Sequence, residues 1–180
     1  MRRHKLRLSL TLAVAVAALA AAAAATAATL TTTATITGAA GLSLNLPANP
    51  SISDTLDGTD QTVSYAPVLG LVDARGSGAG WNMTISATNF SDGAGHTLAP
   101  GSVTSVAQAC HSGSSCTVGT ATGITYPLTI GGTAAKFANA AANTGLGKID
   151  VTPTIQVSIP GSSYAGTYTS TLTFATATGP

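Results

Sequence analysis

The side chains able to do chemistry are few and widely spaced. Beyond residue 28 there are two histidines, His96 and His111, six aspartates, two cysteines and no glutamate at all. Asp54, Asp57 and Asp60 recur every three residues, and Thr55 and Thr59 add oxygens, a pattern that suggests a calcium loop. The EF-hand spacing is missing, so these carboxylates read as solvated turn residues. Cys110 and Cys116 enclose His111 in "CHSGSSC". Two thiols and one crowded imidazole make a poor tetrahedral set for zinc. A Cys110–Cys116 disulfide is the expected alternative in an oxidising compartment, closing a short loop and stabilising by about 2 kcal/mol.

Hydrolytic chemistry finds no better footing. No serine stands in a G-x-S-x-G elbow, and both histidines fall in turn-like stretches where a surface loop histidine is expected. The glycines of "GSGAG" (Gly76–Gly80) are spaced loosely like a phosphate cradle. They precede a strand pattern, which offers no helix N-terminus to an anion. Asp73 and Arg75 are expected to pair across a strand end at an exposed site, contributing roughly 0–1 kcal/mol. Asn82-Met83-Thr84 and Asn89-Phe90-Ser91 fit the glycosylation sequon. The expectation is a protein that is not an enzyme and needs no cofactor or metal.

The elements that must position these residues are strands. Trp81, Met83, Ile85 and Ala87 alternate with Asn82, Thr84, Ser86 and Thr88. Val151, Pro153, Ile155, Val157 and Ile159 alternate with Thr152, Thr154, Gln156 and Ser158. Tyr168, Leu172 and Phe174 share a face opposite Thr167, Thr169, Thr171 and Thr173, and shorter alternations run over Leu42–Leu46 and Tyr126–Ile130. Period two belongs to strands with one buried face. Pro153 and Pro127 cannot donate to a ladder, so each predicts an edge or a bulge. Asp57-Gly58 and Asp92-Gly93 suit tight turns. Thr133–Gly145 is the one alanine-rich helical candidate, and is read as a strand followed by an irregular connection. The fold class expected is all-β, an antiparallel β-sandwich of about nine or ten short strands. Threonine suits its outward faces, being β-branched and soluble without charge.

The N-terminus sets the compartment. Arg2, Arg3, Lys5 and Arg7 precede an apolar run from about Leu8 to Ala25, then small residues of the A-x-A kind. Residues 1–28 therefore read as a secretory signal peptide, with a retained membrane anchor as the alternative. Residues 29–180 are expected to form a single domain without a further membrane span. That part carries Arg75, Lys136 and Lys148 against six aspartates, a net charge of −3 by that count. A basic footprint for nucleic acid or anionic lipid is absent.

"VDARGSGAGWNMTISATNFSDGAGHTL" (Val72–Leu98) together with "YAGTYTSTLTF" (Tyr164–Phe174) resembles the WxL-domain cell-surface proteins of Gram-positive bacteria, in their actinobacterial form. The first family motif, Trp-x-Leu, maps to Trp81 and Met83. The second, Tyr-x-x-x-Leu-Thr-Trp-x-Leu, maps to Tyr168, Leu172, Thr173 and Phe174. Phenylalanine here replaces the second tryptophan, and Thr176 stands where the last leucine would be. The resemblance implies a secreted, extracellular, β-rich protein held non-covalently at the cell wall, with peptidoglycan or another wall glycan as partner and no catalytic role. Trp81, Asn82, Tyr164 and Tyr168 would supply the aromatic faces, hydroxyls and amide for such a glycan. The alternation also makes Trp81 a packing anchor. A second reading is a structural or adhesive subunit, pilin-like or coat-like, that binds other surface proteins, with Leu30–Thr37 as a strand donated to a neighbour.

Overall fold

The computed structural model describes residues 31–119 and 121–180, so the signal-like residues 1–28 lie outside it. Ile36–Pro180 forms one compact unit. Its strands are β1 (Leu42–Asn45), β2 (Gln61–Tyr65), β3 (Leu69–Asp73), β4 (Trp81–Ala87), β5 (Phe90–Ser91), β6 (Thr97–Leu98), β7 (Ser102–Cys110), β8 (Leu128–Thr129), β9 (Ala135–Ala140), β10 (Gly147–Ile159) and β11 (Leu172–Thr178). No helix occurs among the described residues. The eleven strands slightly exceed the expected number because β5, β6 and β8 have only two residues each.

Every pairing is antiparallel. One sheet runs β1-β3-β10-β7-β8, with β2 also joined to β10; a second runs β11-β4-β9, and β5 and β6 form a small ribbon. The core lies where the two larger sheets face each other. Leu69, Leu71, Val103, Ile149, Val151 and Ile155 come from the first, and Trp81, Met83, Ile85, Ala87 and Phe137 from the second. These are the alternate residues of their strands, so the period-two pattern is the sandwich core written along the chain. Thr133–Gly145 forms β9 and then a turn closed by Thr144 N–H to Ala141 O.

Pro153 lies beside a bulge, one of its two expected settings. It lies in the middle of β10, which is not an edge strand. β7 runs along one flank, where Pro153 faces Val106. On the other flank β3 ends opposite Val151 and β2 begins opposite Ile155. The ladder is therefore already interrupted beside Pro153, and the register with β7 shifts at Thr154/Ile155. A proline without an N–H is tolerated where partner strands change over. Pro127 precedes β8, which does form a sheet edge.

Candidate functional site

The two stretches that carry the family likeness are neighbouring strands. β4 and β11 pair with Trp81 opposite Thr178, Met83 opposite Thr176, Ile85 opposite Phe174 and Ala87 opposite Leu172. All these residues share the core face of the sheet. Trp81 is 0 % exposed, and its indole N–H donates to the Gly145 carbonyl at 2.9 Å. Asn82 points to the opposite face, where its side-chain amide donates to Gly179 O.

Asp73 and Arg75 hold the turn that delivers Trp81. The guanidinium meets both carboxylate oxygens, Nε to Oδ1 at 2.9 Å and Nη2 to Oδ2 at 2.8 Å. Nη2 also donates to Gly80 O, and Nη1 to Thr178 Oγ1 at the far end of β11. The pair exists, but the expected exposed setting is overturned: the side chains are 9 % and 0 % exposed. Hydrogen bonds from Arg75 outweigh burial and hold the Asp73 carboxyl below its ordinary value. Gly80, at φ +71°, completes the turn, because a Cβ there would meet Ala140 O at 2.4 Å.

Beside this core the sandwich opens into a groove of about 460 Å³. Leu172 and Phe174 of β11 form part of one wall, and Tyr65, Leu69 and the segment Leu46–Pro50 form the other. It continues past Ile52, Phe90 and Tyr168 into a second hollow of about 840 Å³, lined by Tyr164 and Ser163 among others. Phe174, at the site of the family's second tryptophan, is half-buried and meets Phe137 edge-on at 5.9 Å.

At the rim of the second hollow the chain builds an aromatic platform. Ser91 and Thr169 exchange backbone hydrogen bonds, which sets the β5–β6 turn against the segment that follows β10. His96 then stacks on Tyr164, with ring centroids 3.8 Å apart and planes 16° from parallel. Asp92 Oδ2 bonds His96 Nδ1 at 2.5 Å, while Asp92 Oδ1 accepts the backbone N–H groups of Ala94 and His96. These bonds, led by that from His96, lower the Asp92 pKa. Tyr168 donates its hydroxyl to Tyr164 O, and its pKa is raised by desolvation and then by the charge of Asp92. Tyr164 keeps 64 % of its surface exposed. Ser163 Oγ is buried without a hydrogen-bond partner.

Of the four glycan-contact candidates, the fold brings Tyr164 and Tyr168 together and keeps Trp81 and Asn82 apart from them on β4. By its sequence His96 is a turn histidine, and nothing in its own neighbourhood announces a partner 68 residues away. The Asp92–His96 spacing was the only local sign. The remaining candidates do structural work. Asp57 binds the backbone and hydroxyl of Thr59, and Asp60 accepts the N–H of Gly161. Cys110 and Cys116 form the disulfide, and His111 Nδ1 reaches Asp150 at 2.9 Å. Among the described residues, no three His, Cys, Asp or Glu side chains gather as a metal site.

A family model described as "WxL domain surface cell wall-binding" matches residues 46–180. The chain belongs to the WxL family. Its WxL region takes in β2 to β11, so both motif strands, the groove and the aromatic platform lie inside it. Membership makes this a cell-wall-binding domain of the cell surface. No curated protein and no solved structure matches the chain significantly.

Proposed function

We propose that this WxL protein is secreted, has no catalytic role, and attaches non-covalently to peptidoglycan or another wall glycan through the platform of Tyr164 and Tyr168. The observation that carries this reading is the stack of Tyr164 on His96. It leaves one ring face open to the outside and fixes the other. A pyranose offers a flat apolar face edged by hydroxyls, and a pre-ordered aromatic ring binds such a face at small entropic cost. Tyr168, Thr167, Thr169 and Ser163 add hydroxyls around the same hollow.

The groove residues include no lysine or arginine, which favours an uncharged stretch of glycan over a phosphate polymer. Asp73 is committed to Arg75, and Asp92 to holding His96 against Tyr164. Trp81 acts here as the packing anchor behind the surface, and Asn82 serves the outer face of β4. Residues 1–28 supply the export signal in this reading.

Co-sedimentation with purified peptidoglycan tests the proposal. The wild-type chain should pellet with the wall, and Tyr164→Ala should lower the bound fraction about tenfold without changing the melting temperature. Sedimentation no greater than that of an unrelated control protein would overturn it. Full binding by Tyr164→Ala would move the contact off the platform.

A further inference from the structure

One flank of the sandwich is unfinished. β2 pairs with β10 alone, and its outer edge has no backbone partner among the described residues. Its core-facing Gln61, Val63 and Tyr65 are only half-buried, whereas Leu69, Leu71 and Asp73 of the collinear β3 are fully buried. The Oε1 of Gln61 is buried there with no hydrogen-bond partner. Residues 46–55 pass across this flank, exposed throughout and without backbone–backbone hydrogen bonds, tied to β2 only where Gln61 Nε2 donates to Thr55 O. Pro47 and Pro50 deny that segment two donors, and it pairs with no strand. An open edge beside an apolar groove is a template for an added strand.

The same chain carries a strand with no sheet. Residues 31–37, "TTTATIT", are exposed and have no regular structure. Thr31, Thr33, Thr35 and Thr37 alternate with Thr32, Ala34 and Ile36, the pattern of a strand with one apolar face. β-Branched residues fill all but one position, which favours extended backbone. Ile36 is 92 % exposed, the highest value among the large exposed hydrophobics. The segment is uncharged, as is every residue lining the 460 Å³ groove.

Chain length prevents the segment from completing its own flank. Ala39 is fixed beyond the end of β3 by its N–H to Ala74 O. β10 measures the separation from there to β2: Asp73 lies opposite Gly147 and Tyr65 opposite Ile155. Those eight residues of strand span about 26 Å, while the three residues from Ala39 back to Ile36 reach only about 10 Å. We propose that Thr31–Thr37 of one copy adds as a strand to the free edge of β2 in a second copy, with Ile36 seated against Val63 and Tyr65. Each copy then offers one donor and one acceptor at different places, so the contact is head-to-tail and joins copies into a ring or an open chain.

Cross-linking tests this on protein expressed from the full sequence. Chains with Ile36→Cys are mixed with chains carrying Val63→Cys and oxidised gently. The expected result is a mixed disulfide dimer at least tenfold more abundant than with Thr173→Cys on the other sheet. In parallel, Ile36→Pro should lower the oligomer fraction at least tenfold by sedimentation velocity. Ile36 is exposed, so this variant keeps the fold even where Val63→Cys does not. Equal yields from Val63→Cys and Thr173→Cys, or oligomers unchanged by Ile36→Pro, would overturn the proposal.

Discussion

The indole of Trp81 and the backbone of Gly145 are fitted to each other. The indole N–H lies 2.9 Å from the Gly145 carbonyl, and a Cβ on Gly145 would fall 2.3 Å from the same nitrogen. Gly145 is also held at φ +75°, where other residues are strained. Each residue therefore fixes the identity of the other across the sandwich.

Trp81→Ala should cost about 3–5 kcal/mol in urea unfolding, the usual range for emptying a fully buried aromatic site. Gly145→Ala should cost about 2 kcal/mol or more, through backbone strain and overpacking together. Before unfolding, emission from Trp81 should be blue-shifted and resist iodide quenching. Red-shifted, readily quenched emission would contradict the burial.

Removing Arg75 should be costly because it leaves Asp73 buried and unpaired. Arg75→Ala is expected to destabilise by about 3–5 kcal/mol, far more than an exposed pair would. The pH dependence follows from the lowered pKa of Asp73. A carboxylate whose folded pKa is depressed adds stability above its unfolded pKa, near 4, and loses it as pH falls through the folded value. The wild-type melting temperature should therefore fall on that acid limb, and Asp73→Asn should flatten it. Matching acid limbs in the two proteins would count against this pairing.

The disulfide should matter locally. Cys110→Ser with Cys116→Ser should cost about 2 kcal/mol, as expected for so short a loop. The far-ultraviolet spectrum of the sheets should be unchanged. Loss of the folded baseline would show that the bond holds more than its own turn.

Asn139 clasps the long connection between β7 and β8. Its Oδ1 accepts the N–H of Thr122 at 2.8 Å, and its Nδ2 donates to Thr122 O at 3.1 Å. Asn139→Ala should cost about 1–2 kcal/mol and expose that connection. Limited proteolysis should then cut between His111 and Pro127 well before the sheets unfold.

Much of the sandwich was legible because its signal is local. Trp81–Ala87 alternates along seven residues, and burial follows that alternation residue by residue. Pro153 shows where local reading stops. Its missing donor announced an interruption, but only the hand-over from β3 to β2 places that interruption in a central strand. Asp73 and Arg75 were readable as a pair, yet their burial depends on Gly80 and Thr178, the latter more than a hundred residues away. The aromatic platform was half legible. Tyr164 and Tyr168 are close in sequence, whereas His96 joins them only through the bridge between Ser91 and Thr169. Trp81 could be read as anchor or contact until the depth of its strand was known.

β10 has a bearing on timing. It is the common partner of β2, β3 and β7, and it begins only at Gly147. A chain made from its N-terminus can pair β1 with β3 and β7 with β8 earlier, but the strand that joins these pairs to each other and to β2 begins only after more than four-fifths of it exists. Assembly of the large sheet as a whole must therefore wait for the last part of synthesis, because the pairings of β10 are long-range. For a chain exported as proposed above, that delay is an asset. Until β10 is made, the sheet lacks the strand that closes it.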